Sequence, residues 1–247
     1  VQSEKKRQPE ESHSVFYQVL FAFLGKNMVG IGGVVLTWDV LNIIGTIAFA
    51  ISGAIIAMEE DYDLLGICVL GLTTAFGGGM IRNLLIGIPI DTIWTQYHLF
   101  EIAFFAIIVV FLLPNMVIRY WNKWGTFFDA IGLAAFSIQG ANYAVQSGAP
   151  LSAVLIASTL TGVGGGLVRD ILARRKPMIF HSEVYAAWGV LTGLAIGLNW
   201  VHGTFETMIL LIIIVSLRMC SVMFKWSLPK HFKGKTKDQD ISMNGDF

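Results

Sequence analysis

Gly77-Gly78-Gly79-Met80-Ile81-Arg82-Asn83 and Gly164-Gly165-Gly166-Leu167-Val168-Arg169-Asp170 are the two stretches that decide how this chain is read. They are one motif, repeated 87 positions apart, and each copy lies inside an apolar run long enough to span a bilayer. Neither residue type suits a simple lipid-facing helix. Glycine costs about 1 kcal/mol in a helix interior, and a central arginine costs about 2.5–3.5 kcal/mol on insertion scales. Accepting both costs twice, at matching places, points to a path for something through the membrane.

The match extends well beyond the motif. Residues 44–88 align with 131–175 without a gap, and about a third of the positions are identical. Ile44-Gly45 meets Ile131-Gly132, Ala48-Phe49 meets Ala135-Phe136, Gly53-Ala54 meets Gly140-Ala141, and Thr74 meets Thr161. A repeat of this length is the first thing to build on. Three apolar segments accompany each copy, an odd number, so the second copy enters the membrane from the opposite side. Inverted repeats of this kind place transport sites near the bilayer midplane, where broken helices meet.

Composition agrees with a membrane protein. Of 247 residues, 55% are hydrophobic and 14% charged, and the mean hydropathy is +0.66. A soluble domain carries about 25% charge. The formal net charge is zero, so nothing suggests a nucleic-acid partner. Cys68 and Cys220 sit in apolar runs without pairing or ligand spacing, and the five histidines are scattered, so neither metal nor cofactor is expected. Enzyme signatures are missing: there is no Gly-x-Ser-x-Gly, no His-Glu-x-x-His, and no Gly-Lys-Ser/Thr ending on the glycine runs.

A hydrocarbon core about 30 Å thick takes about 20 apolar residues per helix. Seven segments qualify, at 38–58, 64–87, 97–118, 126–147, 150–173, 183–201 and 204–224. The expected fold is an all-α polytopic bundle, three plus three inverted plus one. The divisions are an N-terminal extension over 1–37, a first repeat over 38–118, a second over 126–201, a seventh helix over 204–224, and a basic tail over 225–247. Residues 15–36 are long enough to span but are interrupted by Lys26 and Asn27, and stay open between an interfacial segment and an eighth helix. Lys and Arg gather in 119–125, in 174–182 and in the tail, and are absent from 88–96, 148–149 and 202–203. The positive-inside rule then puts the C-terminus in the cytoplasm.

The residues expected to line a pathway follow from the repeat. Gly77, Gly78, Gly79, Gly164, Gly165 and Gly166 can leave helical dihedrals and bare carbonyls at a kink. Close helix packing is the competing explanation. Arg82 and Arg169 stand one turn beyond, and each needs a partner. Their sequence neighbours Asn83 and Asp170 are poorly placed, since adjacent residues do not share a helix face. Asn42 and Asp129, from the helix before each motif, are better placed, and Asp129 or Asp170 is expected to compensate one arginine. Ser52 and Gln139 occupy matching positions beside Gly53 and Gly140 and can reach a polar path. Thr73, Thr74, Thr159 and Thr161 either do the same or bond back to their own helix. The stripes Gly45, Phe49, Gly53, Ala57 and Gly132, Phe136, Gly140, Ala144 read as packing faces. Trp94, Trp121, Trp124, Trp188, Trp200 and Trp226 suit an interfacial belt.

Two Gly-Gly-Gly-x-x-Arg-Asn/Asp blocks in tandem three-helix repeats resemble the bacterial glycine-transporter domain family, which is related to the trimeric intracellular cation (TRIC) channels. The resemblance covers about 39–224. It implies a seven-helix fold, a plasma-membrane location and a homotrimer with one pathway per subunit, carrying glycine in some members and potassium in others. The first repeat departs from the pattern, with Asn83 and Asn42 where acids stand in the second. Three readings follow: a permease for a small zwitterion such as glycine, which leads; a monovalent cation channel; and a non-transporting scaffold in the lipid bilayer.

Overall fold

A computed structural model of the chain describes residues 34–87, 94–112, 114–181 and 184–226. Most of the N-terminal extension, most of the basic tail and Pro89 lie outside the described residues, and so does the question of an eighth helix. The described elements are all helical: α1 (Val34–Glu59), α2 (Leu64–Ile86), α3 (Tyr97–Leu112), α4 (Pro114–Gln146), α5 (Leu151–Leu172), α6 (Met178–His181), α7 (Tyr185–Gly197) and α8 (Thr204–Met223). Among the described residues, five stretches are long and apolar enough to cross a membrane: Trp38–Glu59, Leu64–Leu85, Trp94–Leu112, Leu151–Leu172 and Thr204–Met223.

Three expected spans differ. The span expected at 97–118 ends at Leu112, and 114–118 belong to α4. The loop expected at 119–125 is helical and belongs to α4, a single 33-residue element. Its later part is an internal helix carrying Asp129, Gln139, Asn142 and Gln146, which explains its low hydropathy. The expected 183–201 span is reduced to the 13 residues of α7.

Helix ends follow local chemistry. The Asp63 carboxylate accepts from the Gly66 N–H at 2.7 Å and starts α2. Gly87, at φ 76°, ends it with a left-handed residue whose N–H returns to the Asn83 carbonyl.

Helices α1, α2, α5 and α4 form a closed ring in which each packs on the next. Helix α3 covers α1 and α2, α7 covers α4 and α5, and α8 lies against α4 and α7. The ring is held by contacts that recur at the 87-residue offset. Gly45 lies under the Phe136 ring and Gly132 under the Phe49 ring, and these two rings meet at 5.3 Å. Gly53 abuts Leu70 and Thr74, and Gly140 abuts Ala157 and Thr161. The small-residue stripes are therefore packing faces, as read from the sequence.

The triple glycines do not break their helices. Helices α2 and α5 run without interruption through Gly77–Gly79 and Gly164–Gly166. The expected kink with bared carbonyls is corrected to a close antiparallel crossing. A methyl group on Gly78 would overlap the Thr161 carbonyl, and one on Gly165 would overlap the Thr74 carbonyl. A methyl on Gly164 would come within 3.0 Å of the Gly78 Cα. Because the helical hydrogen bonds stay closed, no backbone group needs water at this depth.

Candidate functional site

The glycine crossing separates two polar cavities, one toward each end of the ring. The first, of about 360 Å³, is lined by Ser52, Ile56, Asp129, Arg169, Asp170, Arg175 and their neighbours. The second, of about 210 Å³, is lined by Asn42, Thr46, Gly79, Arg82, Asn83, Phe136, Gln139, Tyr143 and residues at the start of α3. The offset of 87 relates Asn42 to Asp129, Arg82 to Arg169, Asn83 to Asp170, Ser52 to Gln139, and Ile56 to Tyr143.

Each arginine sits about one turn before the end of its helix, not at the midplane. The partial negative charge of a helix C-terminus favours a cation there. Arg169 is 2% exposed and fully engaged. Its guanidinium meets Asp129 at 2.9 Å and Asp170 at 2.8 Å, and donates to the Ser52 hydroxyl. The Asp129 pairing is the one expected from the preceding helix. Asp170, the other carboxylate expected to compensate an arginine, pairs with it as well, although adjacent residues do not share a helix face. Nε and Nη2 of Arg169 fold back along the helix end, where a neighbouring carboxylate can be reached although the two Cβ atoms point apart. The second oxygen of Asp170 accepts from the Met178 N–H at 3.0 Å, so the triad also pins the chain after α5.

Arg82, at 6% exposure, repeats the fold-back with an amide. Its Nε and Nη2 donate to Asn83 Oδ1 at 3.1 and 2.9 Å, and its guanidinium carbon lies 3.9 Å from the centre of the Tyr143 ring. Trp38 packs edge-on against that ring at 4.5 Å. Among the described residues Arg82 makes no salt bridge with a carboxylate. Neither arginine snorkels to a surface.

At the rim of the first cavity, Arg175 donates to Glu60 at 2.6 Å and to Glu59 at 2.7 Å. Partial burial works against the Arg175 charge, but the hydrogen bonds and charges of Glu59 and Glu60 outweigh it and raise its pKa. The Tyr62 hydroxyl donates to the Leu172 carbonyl and ties the same two loops. These contacts are exposed, so Glu60→Gln is expected to change stability by less than about 1 kcal/mol, with the difference vanishing at high salt in a thermal melt.

Sequence reasoning left out three residues. Tyr143 is the offset partner of the cavity-lining Ile56, so the repeat register, applied to the cavity, points to it. Tyr185 and Arg218 carry a weaker signal, namely a polar residue inside an apolar helix. Arg218, from α8, is 1% exposed and lies 4.6 Å from the Tyr185 ring, and the Tyr185 hydroxyl faces the Gly166 and Asp129 side of the first cavity. Thr73, Thr74, Thr159 and Thr161 all donate back to carbonyls one turn earlier and line no path. Trp188, expected at the interface, is buried and donates to Ser221 on α8 at 3.3 Å.

A helical membrane bundle with paired polar cavities on either side of a tight crossing defines a transport protein. The chain belongs to the glycine transporter family, whose model matches residues 39–115 and 126–200. It is 55% identical over 194 residues to the UPF0126 membrane protein YvgT of Bacillus subtilis, covering 78% of this chain and 96% of that one. It is also similar to solved TRIC cation channels. One is 37% identical with a TM-score of 0.70, over 78% of this chain and 97% of the other. A prokaryotic TRIC channel solved in 0.5 M KCl is 28% identical with a TM-score of 0.73, over 78% and 99%.

Proposed function

We propose that the protein conducts a monovalent cation, potassium by preference, through each subunit of a plasma-membrane homotrimer with cytoplasmic C-termini. The subunit is a three-plus-three inverted repeat with one added helix, and its pathway joins the two cavities through the ring of α1, α2, α4 and α5. The observation that carries this reading is the pair of buried carboxylates, Asp129 and Asp170, on the wall of the first cavity. They share Arg169, while Glu59 and Glu60 at the rim both hold Arg175. The Arg169 contact of Asp129 is made by Oδ1, and the other oxygen, Oδ2, is buried. A small cation meets that carboxylate oxygen in place of hydration water. Similarity to TRIC channels, at 37% and 28% identity, favours conduction over the glycine permease that leads on sequence alone.

Between the cavities the path narrows to the Phe49–Phe136 pair beside the glycine crossing. Apolar constrictions gate ions by excluding water. Phe136 already lines the second cavity, so Phe136→Ala is expected to raise potassium flux severalfold in proteoliposomes. An unchanged flux would place the barrier elsewhere.

The permease keeps one supporting feature besides the family's description. Among the described residues Arg82 has no carboxylate partner, and a zwitterion brings one. Purified protein in liposomes, assayed in parallel for potassium flux and labelled glycine uptake, separates the two. Saturable glycine uptake without potassium flux would overturn the channel reading.

A further inference from the structure

The repeat makes each cavity a template for the other. In the first, two carboxylates lie within 2.9 Å of the Arg169 guanidinium, one from α4 and one from α5. In the second, both corresponding positions are amides, Asn42 and Asn83. Asn83 Oδ1 and the Tyr143 face contact Arg82, and neither carries charge. A buried guanidinium with only neutral partners stays expensive. The same cavity holds an unsatisfied donor. Gln139 is 1% exposed, and its Nε2 has no acceptor among the described residues. Buried polar groups left without a partner call for one.

We infer that the Arg82 cavity is a binding site for a small monovalent anion, a halide or a short carboxylate. The anion is held between the Arg82 guanidinium and the Gln139 amide, where it supplies the counter-charge that Asp129 supplies to Arg169. A cavity of about 210 Å³ with no carboxylate among its described lining residues suits such an ion. The inference deepens the conduction reading and rests on it in one respect. A cation crossing from the first cavity meets Arg82 as a repulsive barrier, and a seated anion removes the barrier. Conduction of the cation therefore depends on the anion.

The test uses the whole protein in potassium salts at fixed potassium concentration. Chloride and acetate are compared with lactobionate, which is too bulky for the cavity. Chloride, acetate or both are expected to raise the melting temperature by about 2–4 °C, and which of them does so tells halide from carboxylate. Arg82→Gln should abolish the shift and Gln139→Leu should reduce it. Asn42→Asp, which installs a fixed counter-charge, should melt in lactobionate as the unmodified protein does in the binding anion, and should ignore the salt. Equal melting of the unmodified protein in all three salts overturns the inference. So does an undiminished shift in both Gln139→Leu and Asn42→Asp. Potassium flux in liposomes forms the second arm, and it should be severalfold higher with the binding anion. A melting shift without flux in any salt keeps the anion site and removes the conduction reading. Flux that is equal in all salts, with no melting shift, does the reverse.

Discussion

Gly165→Ala is expected to leave little folded protein, whereas Gly79→Ala should be nearly silent. Both glycines belong to the triple-glycine motifs, so sequence gives no reason to separate them. In the structure a Cβ on Gly165 would overlap the Thr74 carbonyl and lie 2.7 Å from the Phe49 ring. The Thr74 carbonyl is backbone of a regular helix and cannot turn aside. Helices α2 and α5 would have to separate along the crossing, loosening contacts on both sides. Overpacking of this kind costs about 1–3 kcal/mol and sometimes more. A backbone obstacle puts Gly165→Ala at about 3 kcal/mol or above, a large part of an ordinary domain's stability. At Gly79 the nearest atom to an added Cβ is the end of the Arg82 side chain, 3.8 Å away. Yield of monodisperse protein and melting temperature decide the matter. Wild-type behaviour of Gly165→Ala would mean that the two helices do not touch there.

Arg169→Leu is the second substitution with a large expected effect. It removes the cation from a site where both carboxylates, Asp129 and Asp170, are almost wholly buried. Breaking a buried pair by deleting one partner costs about 3–5 kcal/mol, because the other charge is left uncompensated. Here two like charges would remain. Replacing a carboxylate as well should return part of the loss, so Arg169→Leu combined with Asp129→Asn is expected to melt higher than Arg169→Leu alone. Strong non-additivity is the signature of residues acting as one network. Purely additive losses would mean that the triad does not hold together as a unit. Arg82→Leu should cost less, because its partners are an amide and an aromatic face.

Much of the fold was legible in the sequence. The 87-residue offset survives tertiary scrutiny contact by contact, from Gly45 and Gly132 under opposed phenylalanines to Thr74 and Thr161 bonding back to their own helices. The Asp129 partnership of Arg169 follows from the register alone. Two other features were out of reach. Side-chain reach hid the Arg82–Asn83 contact and made Asp170 look the weaker of the two expected partners of an arginine, since helix-face rules track Cβ direction and a long guanidinium can fold back along its own helix end. The 119–125 stretch, with its lysine and arginine, reads as a loop by composition, yet a charged helix can extend past the membrane core as α4 does.

The two glycine motifs are the sharpest instance of the division. Sequence alone determined that they correspond, that an arginine follows each, and that Asp129 and Asp170 stand in the second repeat where the first has Asn42 and Asn83. Periodicity and residue identity are local properties, and they survive any arrangement of the helices. Only the tertiary structure decided that the glycines close a crossing and leave both helices intact. The choice depends on what stands opposite each Cα, and that partner lies 87 residues away on an antiparallel helix.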